Sequence, residues 1–154
     1  MSTNAVLSSN VNALLAEALE WRLMQLLFQC PSGSWREAVA SVAQEVQRSE
    51  LREAAVAAVQ GADEGAYHSI FGPGGPAPAR EASYQRTVQL GYLIAEIHAF
   101  YEAFGYNRTE GADAVYPPDH ISVESGFMGF MKLKQAYALM QADRKSTRLN
   151  SSHT

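Results

Sequence analysis

The chain's chemistry-bearing side chains are its four histidines, its one cysteine and a few carboxylates, and their spacing argues against most reactions they could support. His98 and Glu102 stand four apart, as do His120 and Glu124, so each pair could share a helix face, but neither forms an HExxH run. A carboxylate-bridged di-iron bundle needs a Glu-x-x-His run on each of two helices, and Glu96 precedes His98 by only two residues, the wrong angular offset. These groups read better as solvated or capping residues than as ligands. Cys30 has no second cysteine for a CxxC pair, a thiolate cage or an internal disulfide. No Ser-His-Asp or Cys-His order, and no paired-carboxylate hydrolase, can be assigned from spacing. Glycines 72 to 75 lack the lysine of a phosphate loop, and the prolines among them remove amide donors, so they read as a turn. The expectation is a protein that is not an enzyme and has neither metal nor cofactor.

A different constellation stands at Pro117-Pro118-Asp119-His120. The prolines hold the chain extended, Asp119 is placed to accept hydrogen bonds from the first free amides of a following helix, and His120 falls in its first turn beside the positive dipole end. A structural cap alone explains Asp119. A carboxylate and an imidazole at a loop-helix junction are also suited to receiving a basic peptide.

The elements that must position this elbow are helical. Val11, Leu14, Leu15, Ala18, Leu19, Leu23, Leu26 and Leu27 form one stripe of a first helix starting near Ser8-Ser9-Asn10 and ended by Pro31 and Gly33. Ser34 and Glu37 have capping-box spacing ahead of Trp35, Val39, Val42, Ala43 and Val46. Leu51, Ala54, Ala55, Ala58 and Val59 carry a third segment that Gly61 closes as a left-handed cap. Residues 72 to 80, with three glycines and three prolines, divide the chain. From Glu81 a long run through Tyr84, Leu93, Ile97, Phe100 and Phe104 reads as the central core helix, stopped by Gly105, with Gly91 as a possible kink. Residues 106 to 118 form a loop, and Asp119 opens a last helix with Ile121, Val123, Phe127, Met128, Met131, Ala136, Tyr137 and Met140.

Composition agrees with one globular domain: 154 residues, 47% apolar and 18% charged. There is no apolar run of the roughly 18 to 20 residues that spans a bilayer and no basic region of a secretory signal, so a cytoplasmic protein without stable membrane insertion is expected. Residues 144 to 154 read as a disordered tail resembling translated vector sequence, with the native protein expected to continue beyond Asp143. Without that tail's three basic residues the net charge is −7, a sign that repels nucleic acid and favours basic ligands.

Two motifs, in this order, resemble the TorD/DmsD/NarJ group of redox-enzyme maturation chaperones, also called twin-arginine proofreading chaperones. The first is an aromatic-x-x-aliphatic-Phe segment, Tyr67-His68-Ser69-Ile70-Phe71, followed by Gly72-Pro73 and the proline-rich loop. The second is Pro118-Asp119-His120 with Ile121, Val123-Glu124 and Phe127-Met128; between them Phe100-Tyr101-Glu102-Ala103-Phe104-Gly105 resembles the family's Phe-Tyr-x-x-x-Gly. Tyr116 stands where many members have an acid, and Ser125-Gly126 replace the usual Leu-Glu. The resemblance implies an all-α, single-domain helical bundle over residues 1 to 143. It implies a cytoplasmic chaperone for the precursor of a molybdopterin oxidoreductase subunit, binding its twin-arginine leader, its apo catalytic subunit, or both, before export. A NarJ-like assembly factor that grips the mature subunit stays open as an alternative, and a small helical metal protein as a weaker one. On the family pattern the peptide-binding residues are Asp119, His120, Pro118 and Glu124, with Tyr67 and Phe71 packing the groove wall or the core beneath it.

Overall fold

The computed structural model describes residues 2 to 87, 89 to 108 and 115 to 151, and its regular elements are helices. In chain order they are α1 (Thr3–Leu27), α2 (Trp35–Glu45), α3 (Ser49–Gly61), α4 (Glu64–Phe71), a 3₁₀ turn (Glu81–Ser83), α5 (Leu90–Ala103) and α6 (Ile121–Ser151). No described helix is long and apolar enough to cross a membrane.

α1 and α6 share the most extensive contact in the molecule and run antiparallel. A Cβ on Gly126 would lie 2.6 Å from the Gln25 amide nitrogen, Gly129 faces Ala18 and Trp21, and Lys132 pairs with Glu17 at 2.6 Å. The Ser125-Gly126 departure therefore has a packing reason: a larger side chain at 126 would meet Gln25 and the Tyr106 hydroxyl at 2.5 Å. Helix propensity is given up where two helices close together.

One hydrophobic core joins Leu23 and Leu26 of α1 to Trp35 and Val39 of α2, Val46, and Ala55 of α3. The expected capping box is absent: Ser34 is not extended and makes no side-chain cap bond. Gly33 at φ +58° turns the chain instead, and the Trp35 indole N–H donates to the Leu26 carbonyl at 2.7 Å, pinning the start of α2 onto the end of α1. Gly61 does not adopt a left-handed conformation either; it lies inside α3, and Ala62 leaves extended.

α4 has its own start signal, because the Asp63 carboxylate accepts from the Ala66 amide at 2.9 Å. The continuous helix expected from Glu81 is broken in two, with a 3₁₀ turn and then α5 from Leu90. Residues 79 to 81 are held extended against 119 to 121 by Ile121 N–H to the Ala79 carbonyl (2.8 Å) and Glu81 N–H to the Asp119 carbonyl (2.9 Å), so tertiary bonds override helical periodicity. α5 is peripheral rather than central: Leu93 and Tyr101 are buried, while Leu90, Tyr92 and Phe100 are exposed. Gly105 does end it, at φ +75°, with its N–H on Glu102 and the Tyr106 N–H on the Tyr101 carbonyl, a Schellman close.

A second cluster of Tyr101, Val123 and Phe127, ringed by Phe104, Tyr106 and Phe130, fastens α5 to α6. Beyond Asp143, where a disordered tail was expected, α6 continues to Ser151. Those residues are exposed, and side-chain bonds run along the helix from Thr147 to Asp143 and from Ser151 to Thr147. Adding turns to an existing helix avoids the cost of nucleating one.

Candidate functional site

The elbow lies where α4, the 79–83 segment, α5 and α6 meet, and each element delivers at least one polar group to it. Asp119 is fully buried. Its Oδ1 accepts from Arg80 Nε (3.0 Å) and Nη2 (2.9 Å), and its Oδ2 accepts from the Ala82 amide (3.1 Å). The carboxylate thus holds the 3₁₀ turn rather than capping α6, as the sequence had led us to expect. It is also closed to solvent in the free chain.

The capping role belongs to His120, also buried. Its Nδ1 accepts from the Ser122 amide (3.2 Å) and lies 2.9 Å from Ser122 Oγ. With Nδ1 accepting, Nε2 carries the proton and donates to the Tyr67 hydroxyl at 3.2 Å, and Tyr67 in turn donates to the Phe28 carbonyl at 3.0 Å. This relay ties the end of α1 to α4 and to the first turn of α6. The Tyr116 ring packs on the imidazole with centroids 4.5 Å apart, and its hydroxyl accepts from the Cys30 amide at 2.8 Å. Burial of His120, opposed by Asp119 and reinforced by Arg80, lowers its pKa from 6.5 to about 4, so the ring is neutral at physiological pH. Burial likewise raises the Tyr67 and Tyr101 phenols.

Pro118 is half-buried, and its carbonyl accepts from the Tyr101 hydroxyl at 2.8 Å. Phe71 packs edge-on against Phe28 (5.7 Å between centroids) and beside Tyr67 (5.4 Å). Both aromatics of the first motif thus pack at this junction, Tyr67 adding its two hydrogen bonds. Glu124 is less enclosed than Asp119 and His120. It is half-buried one turn into α6, and burial with the neighbouring Glu81 and Asp119 raises its carboxyl to about 7.

Arg80, Glu81, Tyr101 and Tyr116 also belong to this site, and sequence reasoning did not assign them there. Arg80 and Asp119 are 39 positions apart, and no local spacing rule reaches that far. His98 and Glu102 form an exposed pair at 3.6 Å, remote in role from the elbow. Among the described residues no group of three or more His, Cys, Asp or Glu is placed to hold a metal ion.

The fold defined by this arrangement is that of a redox-enzyme maturation protein. A crystal structure of a candidate redox enzyme maturation protein from Archaeoglobus fulgidus superposes with a TM-score of 0.57, covering 73% of this chain and 70% of that one at 22% identity. The sequence profile of the nitrate reductase delta subunit matches residues 36–152, and the chain belongs to that family. Its members are maturation chaperones of the NarJ/TorD type rather than catalysts. A search of curated protein sequences finds no match.

Proposed function

We propose that this maturation chaperone binds the twin-arginine leader of a molybdenum-cofactor oxidoreductase precursor and keeps it from export until the cofactor is in place. The observation that supports this reading is the acidic junction of the 3₁₀ turn and α6, where Glu124 is half-buried and neighbouring Glu81 and Asp119 add to the rise of its carboxyl to about 7. Two carboxylates side by side repel each other, and a guanidinium bridging them relieves that repulsion while making charge-assisted bonds. The leader's paired arginines have this chemistry. Asp119 and His120 then support the receptor from beneath, by holding the 3₁₀ turn and capping α6, instead of touching the peptide.

Titration of the full chain with a synthetic leader peptide tests this. The expected result is saturable binding that weakens about tenfold in Glu124→Gln, one charge-assisted contact, and is lost when the peptide's two arginines are replaced by alanine. Binding indifferent to both changes would remove the pair from the site.

A second reading is favoured by one observation, the match to the nitrate reductase delta subunit. On that reading the chain grips the apo catalytic subunit itself. Capture of a subunit lacking its leader, with no binding of the isolated leader, would select it.

A further inference from the structure

The seam between α1 and α6 has two unlike sides. One is bordered by ion pairs, Lys132 to Glu17 at 2.6 Å and Arg48 to Glu20 at 3.1 Å. The other is an apolar groove of about 490 Å³, lined by the small residues Ala18, Gly126 and Gly129 and by Leu15, Phe130 and Leu133. Among the described residues lining it only Arg22 is charged, and its Nη1 donates to Gln25 Oε1 at 2.6 Å. Further along the same side of α6 the hollow gives way to a ridge. Gly126, Phe130, Leu133, Tyr137 and Met140 follow one another at steps of four, three, four and three residues, the spacing that keeps one stripe of a helix facing a partner helix. Leu133, Tyr137 and Met140 are 50%, 63% and 42% exposed, so this half of the stripe presents apolar side chains to solvent. Gly126 and Met140 each lie seven residues from Leu133, about 10 Å along the axis in either direction.

We propose that this side of α1 and α6 is a self-pairing surface on which a second copy of the chain docks, α6 antiparallel to α6, about a two-fold axis at Leu133. Rotation about that axis carries Tyr137 and Met140 of each copy onto the groove at Gly126 and Phe130 of the other. One face thus supplies both knob and hole, which is what a closed, isologous pair requires. The face between residues 126 and 140 is about 21 Å long and two helices, about 20 Å, wide, which with its relief reaches the lower end of stable interfaces, about 600 Å² per partner. Between Leu133 and Met140 the only charge is Lys134, and its ammonium donates to the Phe104 carbonyl at 2.6 Å, on the α5 side. Glu124 stands two residues from Gly126, about 200° around the helix, so pairing leaves the acidic junction open and goes beyond the leader reading.

Analytical ultracentrifugation of the full chain tests this. Between about 1 and 200 μM, the range expected of an interface this small, the mass should rise from 16.8 kDa to twice that value. Leu133→Lys sets two cations against each other at the axis, and Tyr137→Lys removes a knob. Each should weaken pairing at least about tenfold while helix content and thermal midpoint stay unchanged, because both side chains are exposed in the single copy. Val56→Lys, at an equally exposed apolar position on α3, should leave pairing intact. A one-copy mass across the whole range would overturn the pairing and leave the groove to an apolar segment of another protein. A dimer that survives both lysine variants on α6, or that Val56→Lys dissociates equally well, would also overturn it by placing the contact elsewhere. The wild-type mass and Tyr137→Lys decide the matter even if Leu133→Lys fails to fold.

Discussion

Leu23 and Val39 in the core of α1, α2 and α3 are as completely buried as Asp119 at the elbow, with His120 close behind, yet the two regions are held by different forces. The first is an apolar contact whose strength grows with buried area and is indifferent to pH. The second is a set of directional bonds in which every partner must be present and correctly protonated, with little exposed surface to compensate a loss. No buried side-chain nitrogen or oxygen among the described residues lacks a hydrogen-bond partner, which shows how fully the polar region is satisfied. A chaperone domain built this way has a scaffold on one side and a chemically tunable junction on the other.

The comparison can be broken most severely in the apolar region. Leu23→Ala should cost about 3 to 4 kcal/mol, the usual sum of lost transfer energy and a residual cavity, measured by urea unfolding. The cost should be the same at pH 5 and pH 8. A pH-dependent loss would mean that the two regions are energetically continuous.

Asp119→Ala should cost about 2 to 3 kcal/mol, less than a fully buried ion pair because Arg80 keeps 39% of its side chain in solvent. It leaves the Arg80 guanidinium and the Ala82 amide without their acceptor. Loss of leader binding in this variant should follow loss of order in the turn, so restored affinity in Asp119→Asn with a weakened fold would separate support from contact.

His120 gives a smaller effect with a definite sign. Its folded pKa lies below its ordinary value, so the unfolded chain takes up the proton first as pH falls. Stability from this group is complete above about 6.5 and is lost as pH drops toward about 4, up to about 3 kcal/mol in total. Protonation also removes Nδ1 as the acceptor for Ser122, so the cap and the charge state fail together. His120→Asn should flatten this limb of the pH profile.

Glu124 acts in the opposite direction and least. Its folded pKa is raised, so stability falls as pH climbs from about 4.5 to about 7 and then levels off, by about 1 to 2 kcal/mol once solvent screening is allowed for. The two slopes oppose each other in the wild type. Glu124→Gln should uncover the rising limb of His120, and thermal unfolding between pH 4 and 8 reads both. A profile unchanged by either substitution would return the elbow to an ordinary packed junction.

Periodicity alone was enough to establish a helical protein with its first core on Leu23, Leu26, Trp35 and Val39, because amphipathic helices write their buried face into the local sequence. The stop at Gly105 was legible for the same reason, since a left-handed close needs glycine. The motif pair Tyr67 to Phe71 and Pro118 to His120 was also legible, and the hydrogen bond from His120 to the Tyr67 hydroxyl joins its two halves. What each residue does there was decided only by the tertiary structure. The cap expected of Asp119 falls to His120 because Arg80, distant in sequence, arrives on an extended segment and claims the carboxylate. Local patterns determine which face of an element is buried; the choice among competing donors for one buried carboxylate depends on which long-range partner reaches it, and no residue spacing records that.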